Sequence, residues 1–325
     1  MPLDPAIAAA FAGLNLDGAP RPVLARGDAA ALRALADAEM TAGFKLAVAA
    51  ATEIHHATAV ARELTTSDDV ALSFDGAPIP VRWYVPADAV ASGSAVVYVH
   101  GGGMVSGSLD IYDPILRFYV EQTGVPILGV DQRLAPEFPG LHPAQDAFAA
   151  LKWLHHHADV LGVDPQRVAV MGDSSGGGLA ASVAIMARDR SIPLARQILI
   201  YPMLDDRNTV AAPWAPQGIT WSHDMNFTGW QALLGDKVGT AKVSELAAPA
   251  RLRNFDGLAA AYIEVGELDI FRDEDAAYAA ALWGAGTSCE LRVRAGAPHD
   301  FDWFAPDGPI AIQAIRDRVD VLKRL

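Results

Sequence analysis

At 325 residues the chain is long enough to bury a large core in one or two domains, and its composition, 51% hydrophobic with 28 glycines, is that of a globular protein. Twenty-five Lys and Arg against 39 Asp and Glu leave a net charge of −14, which disfavours nucleic acid and anionic membrane surfaces as partners. No apolar run approaches a membrane-spanning length, the first basic residue is Arg21, and the one cysteine, Cys289, excludes an internal disulfide, so a cytoplasmic protein is expected.

Residues 1 to about 50 read as two helices, 5–14 and 28–46, the second with Asp28 as N-cap. Strand-like segments at 59–65 and 79–85 flank a D-G-A-P turn signal. An apolar strand at 95–99 runs straight into His100-Gly101-Gly102-Gly103. A helix is predicted over 113–122, with Asp113 as N-cap and Pro114 at its first position. A strand at 127–130, a long helix at 144–161, a strand at 168–171, a helix at 179–188 and a strand at 197–201 follow. Residues 203–248 break this rhythm and hold Trp214, Trp221, Trp230 and Phe227, which reads as an insertion over the active face. Strand 260–265, helix 273–283, strand 290–293 and helix 309–322 complete the chain, with Cys289 in an alternating, strand-like stretch. From residue 127 onward the alternation of strand and helix predicts a parallel α/β sheet covered on both faces.

The sharpest chemical signal is R-V-A-V-M-G-D-S-S-G-G-G-L at 167–179. A β-branched apolar run, G-D-S-S-G, then an alanine-rich helix match the strand–turn–helix of a G-x-S-x-G nucleophile elbow. Such a turn brings the residues two before and two after the serine together, and Gly172 and Gly176 supply the missing side chains. Ser175 would be flanked by Asp173 and Gly177, so Ser174 is the residue that fits. The competing readings are a plain glycine-rich turn or a phosphate loop, but the Gly-Lys-Ser/Thr of a P-loop is absent.

A serine needs a base to take its proton and an acid to hold that base, and in this topology they follow it in the order acid, then histidine. Asp269 lies just past the strand 260–265, and His299 just past the strand 290–293. Glu267, Asp273 and Asp300 compete as acids; Asp273 suits the start of the next helix, and Asp300 adjoins His299 and would have to reach back. His155, His156 and His157 point three ways on a helix, His55 and His56 lie near the N-terminal helices, and no H-E-x-x-H occurs, so no metal is expected. The H-G-G-G run suits an oxyanion hole, because consecutive glycines let backbone N–H groups approach a developing negative oxygen. A flexible turn is its other reading.

Together H-G-G-G at 100–103, D-Q-R-L-A-P-E at 131–137, G-D-S-S-G-G at 172–177, G-E-L-D-I-F-R-D-E at 266–274 and P-H-D-F at 298–301 resemble the bacterial hormone-sensitive-lipase-like esterases. The likeness runs from about residue 60 to the C-terminus. It implies an α/β-hydrolase fold with a mostly parallel eight-stranded sheet, helices on both faces and a helical cap. Residues 1–55 and 203–248 would form the cap, and 56–202 with 249–325 the catalytic core. It implies Ser174 as nucleophile, His299 as base, Asp269 as orienting acid, and the N–H groups of Gly102, Gly103 and Ser175 as oxyanion hole, with His100, Gly101, Gly172, Asp173 and Gly176 in support. Trp221, Met225, Phe227 and Trp230 would line the pocket. The expected reaction is hydrolysis of short-to-medium acyl esters through an acyl-enzyme, with no cofactor. An amidase or peptidase with the same triad and a non-catalytic small-molecule receptor are the alternatives. An exposed edge on the last strand could support a homodimer. Two departures stand out: Ser175 replaces the family's usual Ala, and P-E-F-P-G-L-H-P-A differs in spacing around Phe138 to His142, with His142 expected to be structural.

Overall fold

A computed structural model describes residues 1–14, 24–56, 63–87, 93–210 and 220–325. Its eight strands are β1 (Leu64–Leu72), β2 (Pro78–Pro86), β3 (Gly93–Val99), β4 (Ile127–Val130), β5 (Val163–Asp173), β6 (Arg196–Ile200), β7 (Ala260–Gly266) and β8 (Cys289–Arg294). They form one sheet in the order β1-β2-β4-β3-β5-β6-β7-β8. β2 runs antiparallel to β1 and β4, and every other neighbouring pair is parallel. This is the mostly parallel eight-stranded sheet expected. The apolar runs of β3, β4 and β5 are buried throughout because helices cover both sides of them.

The helices are α1 (Pro5–Leu14), α2 (Ala29–His56), α3 (Leu109–Thr123), α4 (His142–His156), α5 (Ala158–Leu161), α6 (Ser174–Asp189), α7 (His223–Leu234), α8 (Arg272–Gly284), α9 (Phe301–Phe304) and α10 (Pro309–Lys323). The chain steps from β3 to β4 in one direction and from β4 to β5 in the other, so right-handed crossovers put α3 and α4 on opposite faces. α10 joins α3, and α6 joins α4. Loops after the adjacent strands β3 and β5 therefore part in opposite directions. That divergence opens a crevice at the carboxyl end of the sheet, the place where such folds bind ligands.

Several boundaries differ from those expected. α2 runs on to His56, ten residues further. α3 starts at Leu109 because the Ser108 hydroxyl caps it, accepting from the Ile111 N–H at 3.3 Å. Asp113 is instead an interior residue, bound to the Tyr84 hydroxyl and Arg117. The predicted helix 144–161 is two helices, broken at His157, whose ring stacks 4.1 Å over Trp153. The predicted helix 179–188 begins five residues earlier, at Ser174 itself. Most of the strand placed at 59–65 falls outside the described residues, as does Trp214, and the observed β1 begins at Leu64. β1 is an edge strand burying only Ala71, so it carries no alternating pattern to read.

Candidate active site

Ser174 opens α6 with φ +52°, a left-handed conformation that a non-glycine residue holds only when its surroundings enforce it. The glycines beside it supply that enforcement. A Cβ on Gly172 would lie 2.3 Å from the Gly176 carbonyl oxygen, and one on Gly176 would lie 2.1 Å from the Val99 oxygen. A Cβ on Gly178 would meet the Met203 oxygen at 2.1 Å. Asp173, between strand and serine, turns into the core and accepts from the Tyr98 hydroxyl at 2.8 Å and the Tyr112 hydroxyl at 2.7 Å. Its burial raises its pKa, against the pull of those two bonds. The Tyr112 oxygen also accepts the Gly101 N–H at 3.0 Å. One tyrosine thus ties the serine turn to the H-G-G-G loop.

His299 and Asp269 reach Ser174 from the two loops expected. The imidazole Nε2 lies 3.0 Å from the Ser174 Oγ, and Nδ1 lies 2.7 Å from Asp269 Oδ2. With Nδ1–H donated to Asp269, Nε2 is left to accept from the serine hydroxyl. The second Asp269 oxygen accepts the Phe271 N–H at 3.0 Å, which orients the carboxylate. All three side chains are buried. Burial works against the imidazolium, but the charges of Asp269 and Asp300 outweigh it and lift the His299 pKa to about 9. The competing acids have other places. Glu267 accepts the Gly296 N–H at 3.0 Å and joins the two loops. Asp273 pairs with Arg272 in the first turn of α8. Asp300 does reach back, but to Nε2, at 3.6 Å, and not to Nδ1.

The H-G-G-G loop combines positive-φ backbone with close approaches that leave no room for a Cβ. Gly102 has φ +114° and Gly103 φ +62°. A Cβ on Gly102 would strike the Ser106 oxygen at 2.3 Å, and one on Gly103 would strike Trp221 Cη2 at 2.3 Å. The His100 carbonyl accepts from Gln132 at 2.9 Å, and its buried ring, with its pKa lowered by burial, lies 5.4 Å from the Tyr112 ring. The Ser175 N–H sits in the first turn of α6, where helical geometry provides no acceptor within the helix. α2 grips the loop from outside. Arg33 Nε donates to the Val105 carbonyl at 2.5 Å, and Asp37 accepts the Gly107 N–H at 2.9 Å. The same guanidinium forks onto Glu137 at 2.8 and 2.6 Å, so the 131–137 motif is held in the same assembly.

The four aromatic and sulfur side chains expected at the pocket separate. Trp221 packs against Gly103 and stands 6.4 Å from the His299 ring. Met225 is half-buried at the start of α7. Phe227 lies under the Arg26 guanidinium, 3.9 Å away, and so faces the N-terminal segment. Trp230 is fully buried. α7 itself sits on the glycine loop, since a Cβ on Gly229 would come within 2.5 Å of the Gly103 oxygen. At the 138–142 departure, the exposed Phe138 lies beside the His142 ring at 6.1 Å, and His142 Nδ1 bonds to the Pro139 carbonyl.

A sequence profile described as alpha/beta hydrolase fold matches residues 96–302. The chain is 35% identical over 264 residues to the carboxylesterase NlhH of Mycobacterium tuberculosis, spanning 78% of this chain and 81% of that protein. The chain belongs to the hormone-sensitive-lipase-like esterases. It is 34% identical to the ethyl acetate hydrolase of Pseudomonas putida, over 70% of this chain and 72% of that one. Its fold superposes on a bacterial heroin esterase with a TM-score of 0.86 at 30% identity, covering 99% of this chain and 97% of the other. By this membership the protein is an ester hydrolase.

Beneath the imidazole of this esterase lies a polar layer that sequence reading missed. Arg318 is wholly buried and donates to Glu264 at 2.9 and 2.5 Å and to Asp302. Asp302 accepts from the Tyr201 hydroxyl at 3.2 Å, which in turn accepts from the Trp303 indole at 3.0 Å. Burial leads the effects on both Glu264 and Arg318, but their mutual charges prevail: the Glu264 pKa is held down and that of Arg318 up. A buried charge in this setting has to be paired, and these are. Nothing in the sequence marked Arg318, which stands in an ordinary amphipathic C-terminal helix.

Proposed function

We propose that the protein is a serine carboxylesterase acting on short-to-medium acyl esters, with Ser174, His299 and Asp269 as its triad. His299 takes the Ser174 hydroxyl proton at Nε2 while Oγ attacks the ester carbonyl. Asp269 holds the imidazole in the required tautomer and offsets its positive charge. The tetrahedral oxyanion rests against the N–H groups of Gly102, Gly103 and Ser175. Collapse breaks the bond to the alcohol oxygen, which receives the proton from Nε2 and leaves. Water then gives its proton to Nε2, attacks the acyl-serine, and releases the acid as the proton returns to Ser174 Oγ.

The observation that carries this reading is the single imidazole spanning Ser174 at 3.0 Å and Asp269 at 2.7 Å. The crowding of Gly103 by Trp221 supports a compact acyl site, and the relation to an ethyl acetate hydrolase points the same way. α2 and α7, which touch each other and both hold the glycine loop, are the parts we assign to a cap. β8 is an outer edge of the sheet, and pairing of two copies there is the homodimer we propose, to be checked by sedimentation. A cytoplasmic location agrees with a chain whose one cysteine, Cys289, is free.

A panel of nitrophenyl esters of graded acyl length, run with and without a serine-directed phosphonate, tests the reading. Hydrolysis should favour the shorter members and disappear on phosphonylation of Ser174. Faster cleavage of a matched anilide would make the protein an amidase, and failure of the phosphonate to label Ser174 would make it a binding protein.

A further inference from the structure

Asp300 is the residue of the site that the triad does not use. Its left-handed backbone, φ +56° and ψ +22°, swings the side chain back over His299, and its carbonyl accepts the Trp303 N–H at 3.0 Å. The carboxylate Oδ1 ends 3.6 Å from Nε2, the imidazole atom that also faces Ser174 Oγ. Its side chain is 32% exposed, whereas that of His299 is 2% exposed. Asp300 is thus the open group at the reactive end of a closed site. In the esterase reaction, on which this inference rests, Nε2 delivers its proton to the departing alcohol oxygen. An acid within 3.6 Å of Nε2 therefore stands beside the alcohol half of the substrate.

The charges around it have one sign. Asp173 at the end of β5, Asp269 after β7 and Asp302 on α9 all add to the negative potential at Asp300, and His299 opposes them. Tyr112 on α3 and Tyr201 after β6 also feel its charge. The arginine close behind, Arg318, is fully buried and engaged by Glu264 and Asp302. Burial first, then these acids, push the Asp300 pKa up to about 7, so the group is ionised in mildly alkaline solution.

We propose that Asp300 is a specificity-determining residue that selects esters whose alcohol portion carries a positive charge a few atoms from the scissile bond. A cation there meets an acid that has no cation of its own beyond the imidazole among the described residues, in a cleft whose protein walls screen it less than water does. An anionic alcohol group is repelled for the same reason.

The test compares acetylcholine with its uncharged isostere 3,3-dimethylbutyl acetate, by acid release at about pH 8.5 and about 20 mM salt, a low screening strength. The ratio of their kcat/KM values should fall about tenfold on Asp300→Asn, or about 1.4 kcal/mol. Asn accepts left-handed backbone, so the substitution keeps the turn. In the wild type the ratio should also fall as salt rises to about 0.5 M, which reads the same charge without any variant. A ratio unchanged within about twofold by both the substitution and the salt would overturn the assignment. Wild-type protein that cleaves the isostere without discriminating charge loses only this inference; protein that cleaves neither ester loses the esterase reading with it.

Discussion

The Tyr201 ring stands edge-on to the His299 imidazole at 4.8 Å, and its hydroxyl is clamped between Asp302 and the Trp303 indole. The imidazole proposed as the base therefore rests on a side chain that is itself held by a buried ion pair. Tyr201→Phe keeps the ring but strands the Trp303 indole N–H and one Asp302 oxygen. The expected cost is about 1–3 kcal/mol of stability, read from the urea midpoint, with a smaller loss of kcat than any triad substitution. A midpoint equal to wild type would show that the hydroxyl bears no part of the clamp.

Removal of the proposed triad members should act on kcat. Ser174→Ala and His299→Ala are expected to lower kcat by about 10^4 or more, and the double substitution by little beyond either alone. Asp269→Asn leaves the packing in place but offers the imidazole the wrong partner, and a loss of about 10^4 is expected. Losses that multiplied in the double variant would mean the two side chains do not work as one unit.

The pH profile follows from the direction of the His299 shift. As the proposed base, His299 must be neutral to accept the serine proton, and neighbouring acids raise its pKa to about 9. Hydrolysis should accordingly climb with pH toward that value. Asp300→Asn removes one of the raising charges, so its profile should move to lower pH. Movement to higher pH, or none, would contradict the placement of Asp300 beside Nε2.

Asp275, on α8, is buried with neither carboxyl oxygen hydrogen-bonded among the described residues. Its pKa is raised well above the usual range by burial, then by Glu274 and Asp269. The folded protein keeps this proton while the unfolded chain gives it up near the ordinary carboxylate pKa. Its contribution to stability is therefore whole in acid and lost as pH climbs toward the folded value. Asp275→Asn has no proton to lose. Its stability relative to wild type should improve from about pH 5 to about pH 8, read from denaturant curves at both pH values. A constant difference would show that Asp275 is ionised in the folded state.

Gly178 lies outside the serine motif, yet a Cβ there would come within 2.1 Å of the Met203 carbonyl. Backbone cannot yield as a flexible side chain does. Gly178→Ala should cost about 1–3 kcal/mol or prevent folding, seen as a lowered urea midpoint or loss of soluble expression. An alanine variant as stable as wild type would require the turn after β6 to shift.

The residues that meet at Ser174 were legible because their positions follow from topology. Asp269 follows the buried, apolar β7 and His299 follows the alternating, partly exposed edge strand β8, and the chain order acid then base allowed few alternatives. Ser108 was passed over as a cap because Pro114 reads as a helix start, although Asp113 before it is committed to Tyr84 and Arg117. The strand expected at 59–65 falls short of β1, which begins at Leu64, because the polar, exposed run of β1 carries no alternation. The layer under His299 had no local signature at all. Arg318 and Glu264 are 54 positions apart, and no periodicity joins an arginine on a helix to a glutamate on a distant strand. Asp300, next to His299 in the chain, reads as having to reach back to the imidazole, and its left-handed backbone is what carries it to Nε2.

Arg33 and Asp37 give the long second helix a duty beyond shelter. Through Val105 and Gly107 it braces the very turn on which the negative oxygen of the intermediate is proposed to rest. Whatever loosens that helix, a bulky ester prying it outward or a protease nicking it, would therefore slacken anion binding while leaving serine, histidine and aspartate in register. Admission of large substrates and speed of turnover are in this way mechanically opposed, and variants selected for the first should surrender some of the second.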